Sequence, residues 1–243
     1  MNQHFFDTID TEEKAYWLGF LFADGNLSKS SYTRKDGTIK NGCYRISLDL
    51  KGNDIDHLQK FADTLELNQT IKKSNGSFDT FRCRLGFNNK HMWTVLNNYG
   101  CTPRKSLTLK FPDISIFKNT WLIISFIRGY VDGDGCICHI DKDHTKMQIK
   151  ILGTYDFLSV LQEQLPIEYD NCLYRRPTEN VFELVFNSKR GAYISSILYN
   201  GATVYLKRKF EKHEEFCRLY KGLYRVLPSK YGENCEVNPV VSN

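Results

Sequence analysis

The sequence predicts an α+β fold made of two pseudo-symmetric repeats, and three observations carry that expectation. An apolar stretch running from Ala15 to Asp24 and followed by Gly25 returns as Phe126 to Asp134 followed by Gly135. Gly19 and Gly129, Asp24 and Asp134, and Gly25 and Gly135 are each 110 residues apart (129 − 19, 134 − 24, 135 − 25). Each copy then opens onto the same order of patterns: alternating polar and apolar residues, an amphipathic helix, and a second strand pair closed by Phe-Asn-x-Lys at Phe87 to Lys90 and Phe186 to Lys189. The expected division is 1–112 for the first repeat, 113–225 for the second, and a loosely structured tail, 226–243, containing Pro228, Gly232 and Pro239.

Taken in order, Asp10 or Thr11 before Glu12 and Glu13 reads as a helix start, with acidic residues where the helix dipole favours them. The helix is expected from about Thr11 to Asp24. Its second copy starts at Asn119 or Thr120, and both copies are expected to stop at Asp-Gly with a left-handed glycine terminator. Asn26 to Ser31 reads as a weak strand and Thr33 to Gly42 as a polar turn. Then Tyr44, Ile46, Leu48 and Leu50 alternate with Arg45, Ser47, Asp49 and Lys51, and Met147, Ile149 and Ile151 alternate with Lys146, Gln148 and Lys150, the period of a half-buried strand. Helical spacing follows at Ile55, Leu58, Phe61, Ala62 and Leu65, and at Phe157, Leu158, Leu161 and Leu165. The second hairpins are expected at Gln69 to Lys73 with Phe81 to Phe87, and at Cys172 to Arg176 with Val181 to Phe186. The helices after them are expected to end at Gly100 and Gly201, a spacing of 101 that shrinks from 110 because the first hairpin is longer in the first repeat.

The two apolar segments are hydrophobic on nearly all sides, so both helices are expected inside the protein. A glycine within a helix costs about 1 kcal/mol relative to alanine, and close approach of two backbones is the reason inferred for Gly19 and Gly129. Helices packed through these glycines bring Asp24 and Asp134 together at their C-terminal ends. Two carboxylates set against the negative ends of helix dipoles call for a counter-charge, and a divalent cation supplies one.

These residues resemble the two signature motifs of LAGLIDADG homing endonucleases in the single-chain form, and the likeness extends over nearly the whole chain. The resemblance implies two αββαββα repeats packed through their first helices, with antiparallel sheets forming a DNA-binding saddle. It implies that Asp24 and Asp134 are catalytic and bind metal, joined by the backbone carbonyls of Ala23 and Gly133. It places a basic residue near each site, for which Lys105 and Lys207 match best and Arg104 and Lys209 nearly as well. The earlier motif acid is present as Asp132 but is Phe22 in the first copy, a position that is not a metal ligand in the family. The implied activity is a monomeric, site-specific endonuclease of intron homing, cutting both strands of a long asymmetric duplex by two-metal hydrolysis. Mg2+ suits a site of carboxylate and phosphate oxygens. The alternative on the same scaffold is an RNA maturase, with intron RNA as partner, or a catalytically inactive DNA-binding protein.

A two-stranded ribbon fits the major groove, where arginine or lysine reads guanine and glutamine reads adenine. The polar strand faces therefore nominate Arg45, Ser47, Lys51, Arg82, Arg84, Lys146, Gln148, Lys150, Arg175 and Arg176 as DNA contacts. A net charge of +5 and a pI near 8.7 are compatible with a polyanionic partner. The eight cysteines form no paired CxxC motifs and read as thiols of a reducing compartment, Cys136-Ile137-Cys138-His139 included. The six histidines show no cluster in sequence, and His139 and His144 read as loop residues. The opening residues lack a signal-peptide pattern and no apolar run reaches membrane-spanning length, so the expected setting is intracellular, with access to DNA in cytoplasm, nucleoid or organelle matrix. GxSxG, P-loop and HExxH motifs are absent.

Overall fold

The computed structural model describes residues 1–75, 81–166, 172–176 and 181–220; the expected tail lies outside these residues. The first repeat runs α1 (Glu12–Asp24), β1 (Gly25–Thr33), β2 (Ile39–Lys51), α2 (Ile55–Thr64), β3 (Lys72–Asn75), β4 (Phe81–Asn88) and α3 (Lys90–Asn98). The second runs α4 (Thr120–Asp134), β5 (Gly135–His139), β6 (Met147–Gly153), α5 (Tyr155–Gln164), β7 (Leu173–Arg175), β8 (Phe182–Asn187), α6 (Ser188–Tyr199) and α7 (Lys207–Leu219). Each repeat folds its strands into a four-stranded antiparallel sheet, ordered β1-β2-β4-β3 and β5-β6-β8-β7. No helix among the described residues is long and apolar enough to cross a membrane.

α1 and α4 form the most extensive helix pair, and the glycines explain how. A Cβ added at Gly19 would lie 1.9 Å from Phe126 O, and one at Gly129 would lie 2.0 Å from Tyr16 O. No side chain fits either place, so the two backbones touch. Ala15 to Phe22 and Leu122 to Asp132 are continuously buried, in keeping with segments apolar on all sides. Thr11 caps α1 by accepting from Lys14 N, while Asp10 pairs with Lys14 Nζ at 2.8 Å; Asn119 caps α4 by accepting from Leu122 N.

The expected left-handed terminator is corrected. Gly25 (φ −70°, ψ 139°) and Gly135 (φ −86°, ψ 162°) are extended and begin a strand at once. Glycine is required there because an added Cβ would strike the last helical turn, 2.3 Å from Leu21 O in one repeat and 2.4 Å from Val131 O in the other. Left-handed glycines close the later helices instead, at Gly100 (φ 102°) and Gly201 (φ 72°), where the spacing of 101 marks them.

The first hairpin differs between repeats as the shrinking spacing requires, spanning Gly25–Lys51 in one and Gly135–Gly153 in the other. The polar turn after β1 is shorter than expected, because Asp36 accepts from Thr38 N and Gly37 takes φ 84°, closing Arg34 N on Thr38 O at 2.8 Å. β3 begins at Lys72, later than the expected Gln69, while Glu66, at φ 52°, and Leu67, bonded to Ala62 O, close α2.

The repeats are also joined by charge. Arg128, 4% exposed, donates to Glu12, Leu198 O and Val204 O, and Thr203 donates to both oxygens of Glu12. Arg208 of α7 reaches the buried Asp54 before α2 at 3.0 Å.

Alanine normally stabilises a helix relative to glycine, but Gly19→Ala or Gly129→Ala is expected to lose about 1–3 kcal/mol or more in urea denaturation, because backbone must move aside. Unchanged or raised stability in both variants would contradict this packing.

Candidate active site

Because the backbones touch, the two motif ends lie together. A Cβ added at Gly133 would sit 2.4 Å from Ala23 Cβ and 3.2 Å from Asp24 Oδ2, so the glycine of one motif leaves room for the acid of the other. Burial, followed by the charge of Asp134, pushes the Asp24 carboxyl up from 3.8 to about 6. Asp134 is also raised by the protein packed around it, although its side chain keeps solvent access, while Lys105 and Lys209 oppose the shift. Anionic oxygens held together in such a setting form a donor set for a hard divalent cation.

A buried lysine flanks each acid. Lys105 opens a short 3-10 turn after Arg104 (φ 58°), and its Nζ donates to Ala23 O at 3.0 Å and Gly25 O at 2.6 Å. Ala23 O, expected as a metal ligand, thus already accepts from this lysine; Gly133 shares its neighbourhood across the helix pair. In the second repeat the corresponding lysine is Lys209, which donates to Gly135 O and, at 3.5 Å, to Val131 O. The expectation for Lys207 is corrected: it is exposed at the start of α7, turned about 200° around the helix axis from Lys209. Sequence matching fell short because Lys105 opens its 3-10 turn, five residues after Gly100, whereas Lys209 is the third residue of α7, eight after Gly201. Burial, and then Arg208, lowers the Lys209 pKa. Arg104 is exposed.

Asp132 has a structural place. Fully buried, it accepts from Tyr16 Oη at 2.7 Å, Tyr199 Oη at 2.6 Å and Leu206 N at 2.6 Å, so it fixes the segment that enters α7. His57 Nε2 lies 2.9 Å from Tyr16 Oη, and since that hydroxyl donates to Asp132, the histidine donates to it. In the first repeat Phe22 instead packs edge-on to Phe126, with ring centroids 5.2 Å apart.

The sheet faces sort the nominated DNA contacts. On the first sheet Arg45, Ser47 and Lys51 share a face with Arg82 and Arg84, and register adds Lys72, Ser28 and Asn26 to it, which sequence reasoning had missed. A Cβ at Gly86 would lie 2.5 Å from Arg45 Nη2, so the missing side chain seats the guanidinium. Ser47 is buried, which corrects its place among exposed readers, and Arg84 is held by both oxygens of Asp49 at 2.6 Å. On the second sheet Gln148 and Lys150 share a face with Cys136 and Cys138. Arg176 and Lys150 both pair with Glu183, at 2.9 and 3.3 Å. Arg175 is opposite Phe182, on the side of Leu173 and Leu184, so alternation turns it away from that face and corrects its assignment. Lys146 is exposed just before β6.

Two clusters invisible in the sequence appear as well. His4, Asp7 and His91 meet at the surface, and His139, His144 and Glu215 meet beside α7. In each the third member, His91 or Glu215, is too far along the chain for spacing to reveal it.

No family model and no curated relative matches the sequence. Solved structures do. The chain is similar to meganuclease I-SmaMI bound to uncleaveable DNA, with TM-score 0.59 and 13% identity over 86% of this chain and 90% of that one. It is also similar to the I-LtrWI LAGLIDADG homing endonuclease bound to target DNA, with TM-score 0.57 and 13% identity over 86% and 90%. The fold is that of the LAGLIDADG homing endonucleases.

Since the Asp24 pKa in the folded chain lies above the ordinary 3.8, its contribution to stability is fully present below about 3.8 and is lost as pH rises through about 6. Without divalent metal, Asp24→Asn is expected to be more stable than the parent at pH 7 by about 1–2 kcal/mol after solvent screening, and equal to it near pH 4. Urea denaturation in EDTA across this range measures the difference; a parent chain that gains stability over the variant toward pH 7 would contradict the shift.

Proposed function

We propose that this protein is a site-specific endonuclease that hydrolyses both strands of duplex DNA with divalent metal, Mg2+ in the first instance. One observation carries the reading: the acids of both motifs are retained, side by side, each flanked by a buried lysine. The donor chemistry fits the ion, since Asp24 and Asp134 are raised carboxylates beside one another and gain from a hard cation between or beside them. When bound, the metal lowers the pKa of coordinated water and neutralises charge developing on the phosphate.

The protein's own groups supply the rest. Asp24 and Asp134 would hold the metal ions and, related by the pseudo-two-fold of α1 and α4, would serve one strand each. Lys209, held by the carbonyls of Val131 and Gly135, orders the attacking water; Lys105 steadies the scissile phosphate from the other side. The two polar sheet faces hold the flanking duplex, with Arg45, Lys51, Lys72 and Arg82 on one half-site and Gln148, Lys150 and Lys146 on the other. Phosphate contacts among them make binding fall with added salt. A single chain carrying both sites acts as a monomer on an asymmetric target.

Cleavage of a randomised-site plasmid pool with Mg2+ tests the reading. Double-strand breaks at one recovered sequence are expected, with at least about 100-fold loss in Asp24→Asn and in Asp134→Asn. Enrichment of a DNA sequence without cutting would replace the enzyme by a binding protein, and no enrichment of DNA would redirect the search to structured RNA. Lys209→Met is expected to slow cutting by about 10-fold or more and Lys207→Met to leave it near the parent rate; the reverse order would return the role to Lys207.

A further inference from the structure

We propose that His139, His144 and Glu215 form a second metal site, for one borderline divalent ion of the Zn2+ type, which clamps the β5–β6 turn to α7. The three come from separate elements: the end of β5, the turn, and the middle of α7. One donor atom from each lies within 4.8 Å of those from the other two, and the two imidazole rings are 4.3 Å apart between centroids. Two imidazoles and a carboxylate, with one position left for water, form a donor set suited to Zn2+ and poor for Mg2+, which prefers oxygen throughout.

Hydrogen bonding alone leaves this cluster incomplete. His139 is only 11% exposed and its Nε2 meets Glu215 Oε1 at 2.6 Å, but its Nδ1 is buried with no partner. His144 holds a left-handed backbone (φ 55°) to bring its ring over His139, a conformation that costs about 1 kcal/mol or more in a residue with a side chain. Glu215 is already oriented, since its other oxygen accepts from Lys212 Nζ at 2.6 Å.

The scaffold around the cluster is fixed independently of it. Asp141 accepts from Thr145 N and Lys146 N, closing the turn, and Tyr220 Oη, just beyond α7, accepts from Met147 N at 3.3 Å. The His4, Asp7 and His91 cluster makes a useful contrast. There all three residues are exposed and Asp7 gives one oxygen to each ring at 2.7 Å, so hydrogen bonds account for the arrangement. The same turn carries Lys142 and Lys146, so on the endonuclease reading an ion here would also fix charges near the outer end of the second sheet.

Titration of the full chain carrying Asp24→Asn and Asp134→Asn isolates this site from the catalytic one. One equivalent of Zn2+ is expected by calorimetry, and Co2+ in its place is expected to show the visible absorption of a four-coordinate ion. His139→Asn, Glu215→Gln, and His144→Asn on the exposed turn are each expected to weaken Zn2+ binding at least 10-fold. His144→Asn serves as the folding-safe variant. Zn2+ is also expected to slow amide exchange through residues 140–146. Unchanged Zn2+ binding in His144→Asn and His139→Asn, no saturable binding at all, or loss of binding only in His91→Asn would each overturn the proposal. A chain that binds Zn2+ here yet never cuts DNA would refute the endonuclease and leave this site standing. One that cuts with Mg2+ yet shows no such Zn2+ binding would do the reverse.

Discussion

Contact between two peptide backbones, at Gly19 on Phe126 and Gly129 on Tyr16, is the constraint on which the rest of the molecule depends. It sets the spacing of α1 and α4 and, through them, the spacing of the acids at their ends. A single methyl group at either glycine would separate the helices and with them Asp24 and Asp134. The high proton affinity of Asp24 follows from this closeness together with burial, so the strain of the site and the stability of the helix pair have a common origin. Binding a cation is the natural relief for such an arrangement, and hydrophobic burial along both helices supplies the force that holds the acids there.

Much of the architecture was legible because duplication makes weak signals count twice. One Asp-Gly after an apolar helix says little, but two in matched register, each preceded by an unexplained helical glycine, specify a helix pair and a site. Strand alternation fixed which residues of β2 and β6 face outward. What stayed hidden depended on geometry that sequence does not encode locally. Gly25 and Gly135 are needed for contact with their own helices and not for left-handed backbone. Lys209 takes the place expected for Lys207 because the first turn of α7, whose entry Asp132 anchors, turns its third residue inward and its first outward. Arg175 changed faces because register is set by pairing to β8, and a shift of one residue reverses every side chain. The histidine clusters needed the tertiary fold, since 76 residues separate His139 from Glu215.

The inner end of each helix pairs chemistry with support. Lysines bonded to motif carbonyls prevent the helix ends from fraying where the acids emerge, while Asp132 fixes the segment that carries Lys209 into place. Arg128 and Arg208 of the second repeat then tie it to Glu12 and Asp54 of the first, one along the helix pair and one from α7 to the start of α2. Sheets held this way keep a constant relation to the acids.

Asp132 and Tyr16 have as their symmetry mates Phe22 and Phe126, so across the helix pair one diagonal is polar and the other aromatic. Each diagonal is satisfied only by the partner it has. A second repeat paired with its own copy would set Asp132 against Phe126, removing one of the carboxylate's three donors inside the core. A first repeat paired with itself would bring the hydroxyl of Tyr16 against Phe22, with the carboxylate acceptor gone and only His57 beside it. The two halves are therefore complementary rather than equivalent at this crossing, and a symmetric pairing of either half with its own copy would lose the contact between Tyr16 and Asp132.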